Sequence, residues 1–223
     1  MKLSPFTKAV LNNFSTINNS MVFNEGNEIR VMPENKTILA EAIVTDSFPQ
    51  TFGIYDVRQL MGVESLAKDP DLLFKEKYME VKDGKNTLKY FFTDPSRIVT
   101  PTKRITITSS EATFDLPVTT IKSLQKTSQV LSVEDLLITK QDGELELTVL
   151  DKSNPTSHSC SFEVTGKSSG GFKVYLKIPN LKLIEDDYTV TLSSKGVALF
   201  TAKSNPVKYY IAIESDSSFK YYD

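Results

Sequence analysis

The only histidine and the only cysteine, His158 and Cys160, stand two positions apart in "NPTSHSCS". On a strand that spacing places both side chains on one face. A metal site needs at least about three ligands at workable spacing, and a pair alone falls short. The two therefore read as a histidine at a solvent edge and a packed thiol. "GKSSGG", Gly166 to Gly171, is rich in glycine but lies between two expected strands and opens no helix. A phosphate cradle needs the helix, so this stretch reads as a flexible hairpin tip. Glu185-Asp186-Asp187 could attract a cation, yet as the turn after a short helix it reads as a solvated loop. The chain has no G-x-x-x-x-G-K-[ST], G-x-S-x-G or G-x-G-x-x-G pattern. These residues point to no enzyme, no metal and no organic cofactor.

A different chemistry stands in "VTTIKSLQKTSQVL", Val118 to Leu131. Pro117, Ile121, Leu124, Ser128 and Leu131 recur at helical spacing on one side. Thr119, Lys122, Lys126 and Gln129 fall on the other, with two lysines at i and i+4 and no acid between them. An earlier helix turns Lys8, Asn12, Ser15 and Asn19 outward. A second offers Arg58 and Ser65, and a short fourth offers Lys182. None of these outer faces has a central Asp or Glu on this reading; the acids cluster in strands and turns. One charged helix face is ordinarily just solvated. Several on one side of a sheet make a basic surface suited to phosphates, without reading bases. With few lysines such contact would be weak and salt-sensitive.

The elements that carry these faces alternate. Ser4-Pro5 supplies a capping side chain and a proline at the first helical position, so the pattern predicts a helix over residues 4–18 with Phe6, Val10, Phe14 and Ile17 inward. "SMVF", "NEIRVM", "TILAEAIV" and "QTFGIY" read as strands. Asp56 caps a helix from about Val57 to Ala67. "DLLFKEKYMEVKDG" and "NTLKYFFTD" read as strands turning at "KDGKN". "DPSRIVTPTKRI", residues 94–105, breaks the rhythm as an extended crossing, with Ile98 and Val99 packing it down. The order then repeats: the 118–131 helix, a hairpin turning at Gln141-Asp142-Gly143, strands at "SHSCSFEV" and "FKVYLKI", a short helix near Pro179–Leu183, and strands at "DYTVTLS", "GVALFTA" and "VKYYIAIES". Helix, strands, helix, strands in each half predicts an α+β fold, two similar domains with helices on one face of antiparallel sheets.

Composition fits this plan. The chain has 223 residues, 39% hydrophobic, with a formal net charge of −2. That size buries a core without staples, and the balance excludes a surface that is basic all over. One cysteine allows no intrachain disulfide and suits a reducing compartment. The start lacks a signal-peptide pattern, and no apolar run approaches the length of a membrane span. A β-rich structural or adhesion protein of a virion would fit the many strands but not the acid-free helix faces. A small hydrolase lacks a His, Cys or metal constellation.

The residues also carry a resemblance. "MKLSPFTKAVLNNFSTINNS", "AEAIVTD" followed by "GIYDVRQLMGVESL", "DPSRIVTPTKRI" and "YYIAIESDSSF" resemble, in order and spacing along the chain, the DNA polymerase sliding clamps of T-even-type tailed phages. The match is looser over about 70–90 and 140–175. The resemblance implies clamp domains at 1–100 and 101–223, closed as a homotrimeric ring around double-stranded DNA with helices lining the hole. It implies a non-enzymatic processivity factor for a DNA polymerase, placed by an ATP-driven clamp loader in the cytoplasm of the infected host. It further implies a role in late transcription with a sigma factor and co-activator.

Carried over position by position, the DNA-facing residues are Lys2, Lys8, Arg58, Lys122, Lys126 and Lys182. Pro5 and Asn12 stand where relatives carry or would carry lysine, which implies a lighter grip through the first helix. A partner-peptide pocket would use Ile98, Val99, Pro101, Ile105, Tyr210, Ile211 and Ile213. The subunit interface would join edge strands at Leu88, Tyr90 and Phe92 and at Cys160, Phe162 and Val164.

Overall fold

In the computed structural model, which describes residues 1–141 and 144–220, Ser4 starts the first helix. Its hydroxyl accepts from the Thr7 backbone N–H at 3.2 Å, and Pro5 opens α1 (Pro5–Phe14). Thr7, Val10, Leu11 and Phe14 form its buried face. Phe6, expected inside, is only half-buried, and Ser15, expected outside, is 5% exposed. The helix ends at Phe14, earlier than expected, and the next residues turn. Two compact units follow from the contacts, Met1–Lys103 and Arg104–Asp223.

In the first unit, β1 (Met21–Phe23) pairs with β4 (Phe52–Ile54), and β2 (Gly26–Val31) with β3 (Ile38–Phe48). Asp56 caps α2 (Val57–Ser65), its carboxylate accepting from the Gln59 N–H at 2.8 Å. The stretch expected as one long strand is two, β5 (Asp71–Phe74) and β6 (Tyr78–Asp83). With β7 (Asn86–Phe91) they form a sheet of order β5-β6-β7. Gly84, at φ +56°, turns β6 into β7; that sign of φ suits glycine. Phe23 and Phe52 stack at 4.9 Å and Phe92 lies 4.6 Å from Phe52, so aromatic rings fill this core.

A 3-10 turn, Pro95–Arg97, opens the crossing. Ile98 is buried and Pro101 is buried with it. Arg30 of β2 holds the strand of chain that follows, donating to the Pro101 carbonyl at 3.2 Å and the Lys103 carbonyl at 2.7 Å. Val99, expected to pack down with Ile98, is exposed instead. In extended chain, neighbouring side chains point oppositely, so both cannot face inward.

The second unit has β8 (Ala112–Leu116), α3 (Val118–Leu131), β9 (Asp135–Gln141), β10 (Glu144–Leu150), β11 (Cys160–Val164), β12 (Gly166–Ser168) and β13 (Gly171–Lys177). A 3-10 turn at Ile178–Asn180 precedes β14 (Tyr188–Ser193), β15 (Val197–Ala202), β16 (Val207–Ala212) and β17 (Ser218–Lys220). One sheet runs β11-β10-β9-β13-β17, and β12, β8, β14, β15 and β16 follow one another in a second. Register builds buried rows across the second sheet. Ala112, Leu192, Ala198 and Ile211 make one, and Phe114, Val190, Phe200 and Tyr209 the next. Each large apolar side chain buried this way stabilises the fold by about 1.5–3 kcal/mol. Tyr188 is buried too, its hydroxyl donating to the Ile184 carbonyl at 2.6 Å, while the Tyr209 hydroxyl accepts from the Ile184 N–H at 3.0 Å.

Four expectations change here. The short fourth helix is only the three-residue 3-10 turn, closed by the Leu181 N–H donating to the Ile178 carbonyl at 2.9 Å. "GKSSGG" is not a free hairpin tip: Gly166–Ser168 forms β12 on β8, in the other sheet from β11. A Cβ on Gly166 would lie 2.4 Å from Phe114 Cβ and 2.5 Å from Leu145 Cδ1, so the glycine serves a close approach. His158 lies in an exposed loop before β11 and shares no strand face with Cys160. The 185–187 run is not simply solvated, since Asp186 is buried. Asp142 and Gly143, where the hairpin turn was expected, lie outside the described residues.

Candidate nucleic-acid interface

Helix α3 has most of the face its spacing predicts. Ile121, Leu124 and Ser128 are buried, and Thr119, Lys122, Lys126 and Gln129 are exposed. Leu131, expected inside, is half-buried at the last turn, and Pro117, expected on the same side, is exposed at the N-cap. The start is unusual. Pro117 sits at the N-cap without a side-chain acceptor. Asp187 fills that role, accepting from the Val118 N–H at 2.8 Å. Its neighbour Asp186 accepts from the backbones of Ser204 and Asn205 and from the Asn205 side chain at 2.8 Å. Burial alone would raise the Asp186 carboxyl, but these hydrogen bonds outweigh it and hold the group below the ordinary range.

The stripe is less bare than the spacing implied. Lys122 forms an ion pair with Glu185, both side chains well exposed. Lys126 has no ion-pair partner among the described residues. Lys182 follows the 3-10 turn and is half-buried, so it extends no helical stripe.

In the first unit every candidate cation has an internal partner. Lys2 pairs with Asp69 on the surface, and that carboxylate raises the Lys2 ammonium above its ordinary value. Arg58 donates to the Ser15 carbonyl at 3.2 Å. Lys8 of α1 pairs with Glu64 of α2, whose side chain is 6% exposed. Glu64 is the residue that the helical-face reading missed. It sits near the end of α2, seven residues after Val57 and in line with buried Leu60 and Met61, so helical spacing puts it in the middle of the apolar side. An acid on an apolar stripe is the available signal, and its partner Lys8 appears only when the two helices pack.

Among the described residues no three His, Cys, Asp or Glu side chains gather as a metal site, and no helix is long and apolar enough to cross a membrane. What the helices offer is a sparse set of cations on a rigid support. That can touch phosphates without selecting sequence.

The chain is similar to known proteins along its length. Residues 2–100 match the model described as DNA polymerase processivity factor. The chain is 28% identical to the sliding clamp of Vibrio phage KVP40 over 96% of its length and 100% of that protein. It is 27% identical to the sliding clamp of Enterobacteria phage T4, over 98% of this chain and 99% of that one. Over nearly its whole length the chain is similar to the sliding clamps of T4-type phages. Its fold is the clamp fold. It superposes with TM-score 0.70, at 16% identity and covering 95% and 96% of the two chains, on the structure of A. fulgidus PCNA with the C-terminal region of FEN-1 bound.

The remaining residues of interest sit in the clamp as follows. Of the pocket candidates, Val99 and Ile105 are exposed and Ile213 is half-buried, whereas Ile98, Pro101 and Tyr210 are buried. Ile211 is fully buried in the row with Ala198, so it is core and cannot also face a ligand. Of the interface candidates, Leu88 and Tyr90 lie on β7, the last strand of its sheet among the described residues. Phe92 falls just past the end of β7 and packs on Phe52. Cys160, Phe162 and Val164 lie on β11, also a last strand, opposite Val149, Leu147 and Leu145. Leu88 opens onto a groove with Val63, Leu66 and Ala67 of the α2 end, and Leu66 is 79% exposed.

Proposed function

We propose that this clamp closes as a homotrimer around duplex DNA and tethers the replicative polymerase to its template, catalysing no reaction and using no cofactor. The observation that carries the reading is the exposed face of α3, with Lys126 and Lys122 outward on a helix whose other side is locked into the sheet. Lysines at one helical turn's spacing meet phosphates, while the topological link supplies the retention that their weak contact does not. Each phosphate contacted adds about 0.9 to the slope of log affinity against log salt. A net charge of −2 on the whole chain then keeps DNA off the remaining surface.

Ring closure would use the open strands β7 and β11, head to tail between copies, which removes both exposed edges. Partner peptides would use the pocket candidates that are open to solvent, Val99, Ile105 and Ile213. The C-terminal region of FEN-1 bound to A. fulgidus PCNA supports a peptide mode of docking on this fold. In this reading an ATP-driven loader opens the ring in the cytoplasm of the infected host. A late-transcription sigma factor and co-activator would use the same mobile platform.

The test is absolute mass by light scattering over a range of concentrations. A species near three times the 25.0 kDa chain, dissociating on dilution, supports the ring. A strict monomer at high concentration overturns it. Retention on circular but not linear DNA then separates encirclement from ordinary binding.

A further inference from the structure

The two units treat their candidate lysines differently. The Glu64 side chain is 6% exposed and that of its partner Lys8 is 31% exposed. In the second unit Lys122 and Glu185 are 60% and 67% exposed, and Lys126 has no ion-pair partner among the described residues. An exposed pair is worth little and exchanges readily for another anion. A buried carboxylate is another matter, since removing its cation leaves a charge stranded in a dry place. Lys8 therefore cannot swing to a phosphate without abandoning Glu64, whereas Lys122 can leave Glu185 to water. Arg58 and Lys2, the other cations of the first unit's candidate face, are also engaged, with the Ser15 carbonyl and Asp69.

We infer that Glu64 serves as a built-in substitute for a phosphate, holding Lys8 out of DNA contact so that the second unit carries the electrostatic grip. This rests on the DNA-encircling reading. The pair spans α1 and α2, so one side chain both fastens the two helices and lowers the count of available cations. Fewer contacts mean a shallower salt dependence and a ring that moves more freely along the duplex.

The test uses the full-length clamp and a short fluorescent duplex, with affinity followed against salt. Glu64→Gln keeps the shape and removes the charge, and the double variant Glu64→Gln with Lys8→Gln removes the cation it would release. The expected result is a slope steeper by about 0.9 per released lysine in Glu64→Gln, returning to the parent slope in the double variant. An unchanged slope in Glu64→Gln overturns the inference. A second measurement needs no variant: lysine acetylation of the parent clamp, read by mass spectrometry with and without duplex. DNA should protect Lys126 and leave Lys8 unaffected, and equal protection of Lys8 overturns the inference. Retention of the parent clamp on circular DNA is the control. Its absence sinks the encircling reading, whereas retention with unaltered slopes sinks only the role of Glu64.

Discussion

The Asp187 carboxylate accepts a hydrogen bond from the Val118 N–H at 2.8 Å, across 69 positions of sequence. Val118 opens α3, and Pro117 before it has no side chain that can cap. A loop from far along the chain thus supplies the first acceptor of the helix that bears Lys122 and Lys126. The same loop places Glu185 against Lys122 and anchors itself through buried Asp186. Asp187→Ala should cost about 1 kcal/mol, the usual worth of a lost cap. Urea unfolding would record it as a lower midpoint at unchanged slope. Asp187→Asn keeps an acceptor oxygen and should lose less. Equal losses would assign the effect to charge at the helix start rather than to the hydrogen bond.

Two glycines give opposite predictions. At Gly166 a methyl would press on Phe114, Leu145 and the Thr113 carbonyl, all within 2.6 Å. Gly166→Ala should destabilise by about 1–3 kcal/mol through overpacking. Gly62 lies inside α2 with nothing within 4 Å of the added carbon. Gly62→Ala should stabilise by about 0.5–1 kcal/mol, since alanine prefers helix. Thermal melts of the pair settle both, and a destabilising Gly62→Ala would mean that the α2 face is covered.

What the sequence revealed divides along physical lines. The α3 face was legible because Ile121, Leu124 and Ser128 recur at the helical period and solvent takes the rest. Asp56 and Ser4 were legible because capping is a local interaction between near neighbours. Gly166 was not, because its constraint is the approach of Phe114 and Leu145 from other strands. The run at 185–187 misled for the same reason: three adjacent acids look solvated until Val118, Ser204 and Lys122 are brought to them. The missed strand β17, Ser218–Lys220, is three residues long, too short to show a period, and is defined by its partner β13. Glu64 stood in line with Val57, Leu60 and Met61 in the sequence, but its partner Lys8 shows only when α1 packs on α2.

Acid should weaken the clamp through its bonded aspartates. Asp115 is lowered from 3.8 by its hydrogen bond and charge pairing with Lys203, and Asp186 by bonds that outweigh its burial. With the folded value below the unfolded one, the unfolded chain binds more protons as pH falls. The stabilisation is therefore present above the ordinary aspartate value near 3.8 and lost as pH drops below it toward the folded values. Urea midpoints should hold from neutral pH to about 5 and decline below about 4. Asp186→Asn should start less stable at neutral pH and lose less on acidification. A decline as steep as the parent's would remove Asp186 from this account.

The ion pairs predict a contrast that needs no DNA. Lys8→Met leaves Glu64 charged and enclosed, and should cost about 3–5 kcal/mol. Lys122→Met parts a pair in which both partners face water, and should stay within about 0.5 kcal/mol of the parent. Similar small effects at both sites would mean that water reaches Glu64 freely.

The proposed assembly would use strands whose outer edges are open among the described residues. Leu88 of β7 lies beside Val63, Leu66 and Ala67, and Phe162 of β11 is half-buried at the edge of its own sheet. An aspartate at either position adds a charge to a surface that, in the proposed ring, the next copy covers. Within a lone chain Leu88 is 37% exposed, so the charge remains hydrated there. Leu88→Asp should therefore shift mass from trimer to monomer while urea unfolding of the diluted monomer moves by no more than about 0.5 kcal/mol. Light scattering at matched concentrations reads the first and a denaturant series the second. A persistent trimer would move the contact away from β7, and a destabilised monomer would show that Leu88 serves its own core.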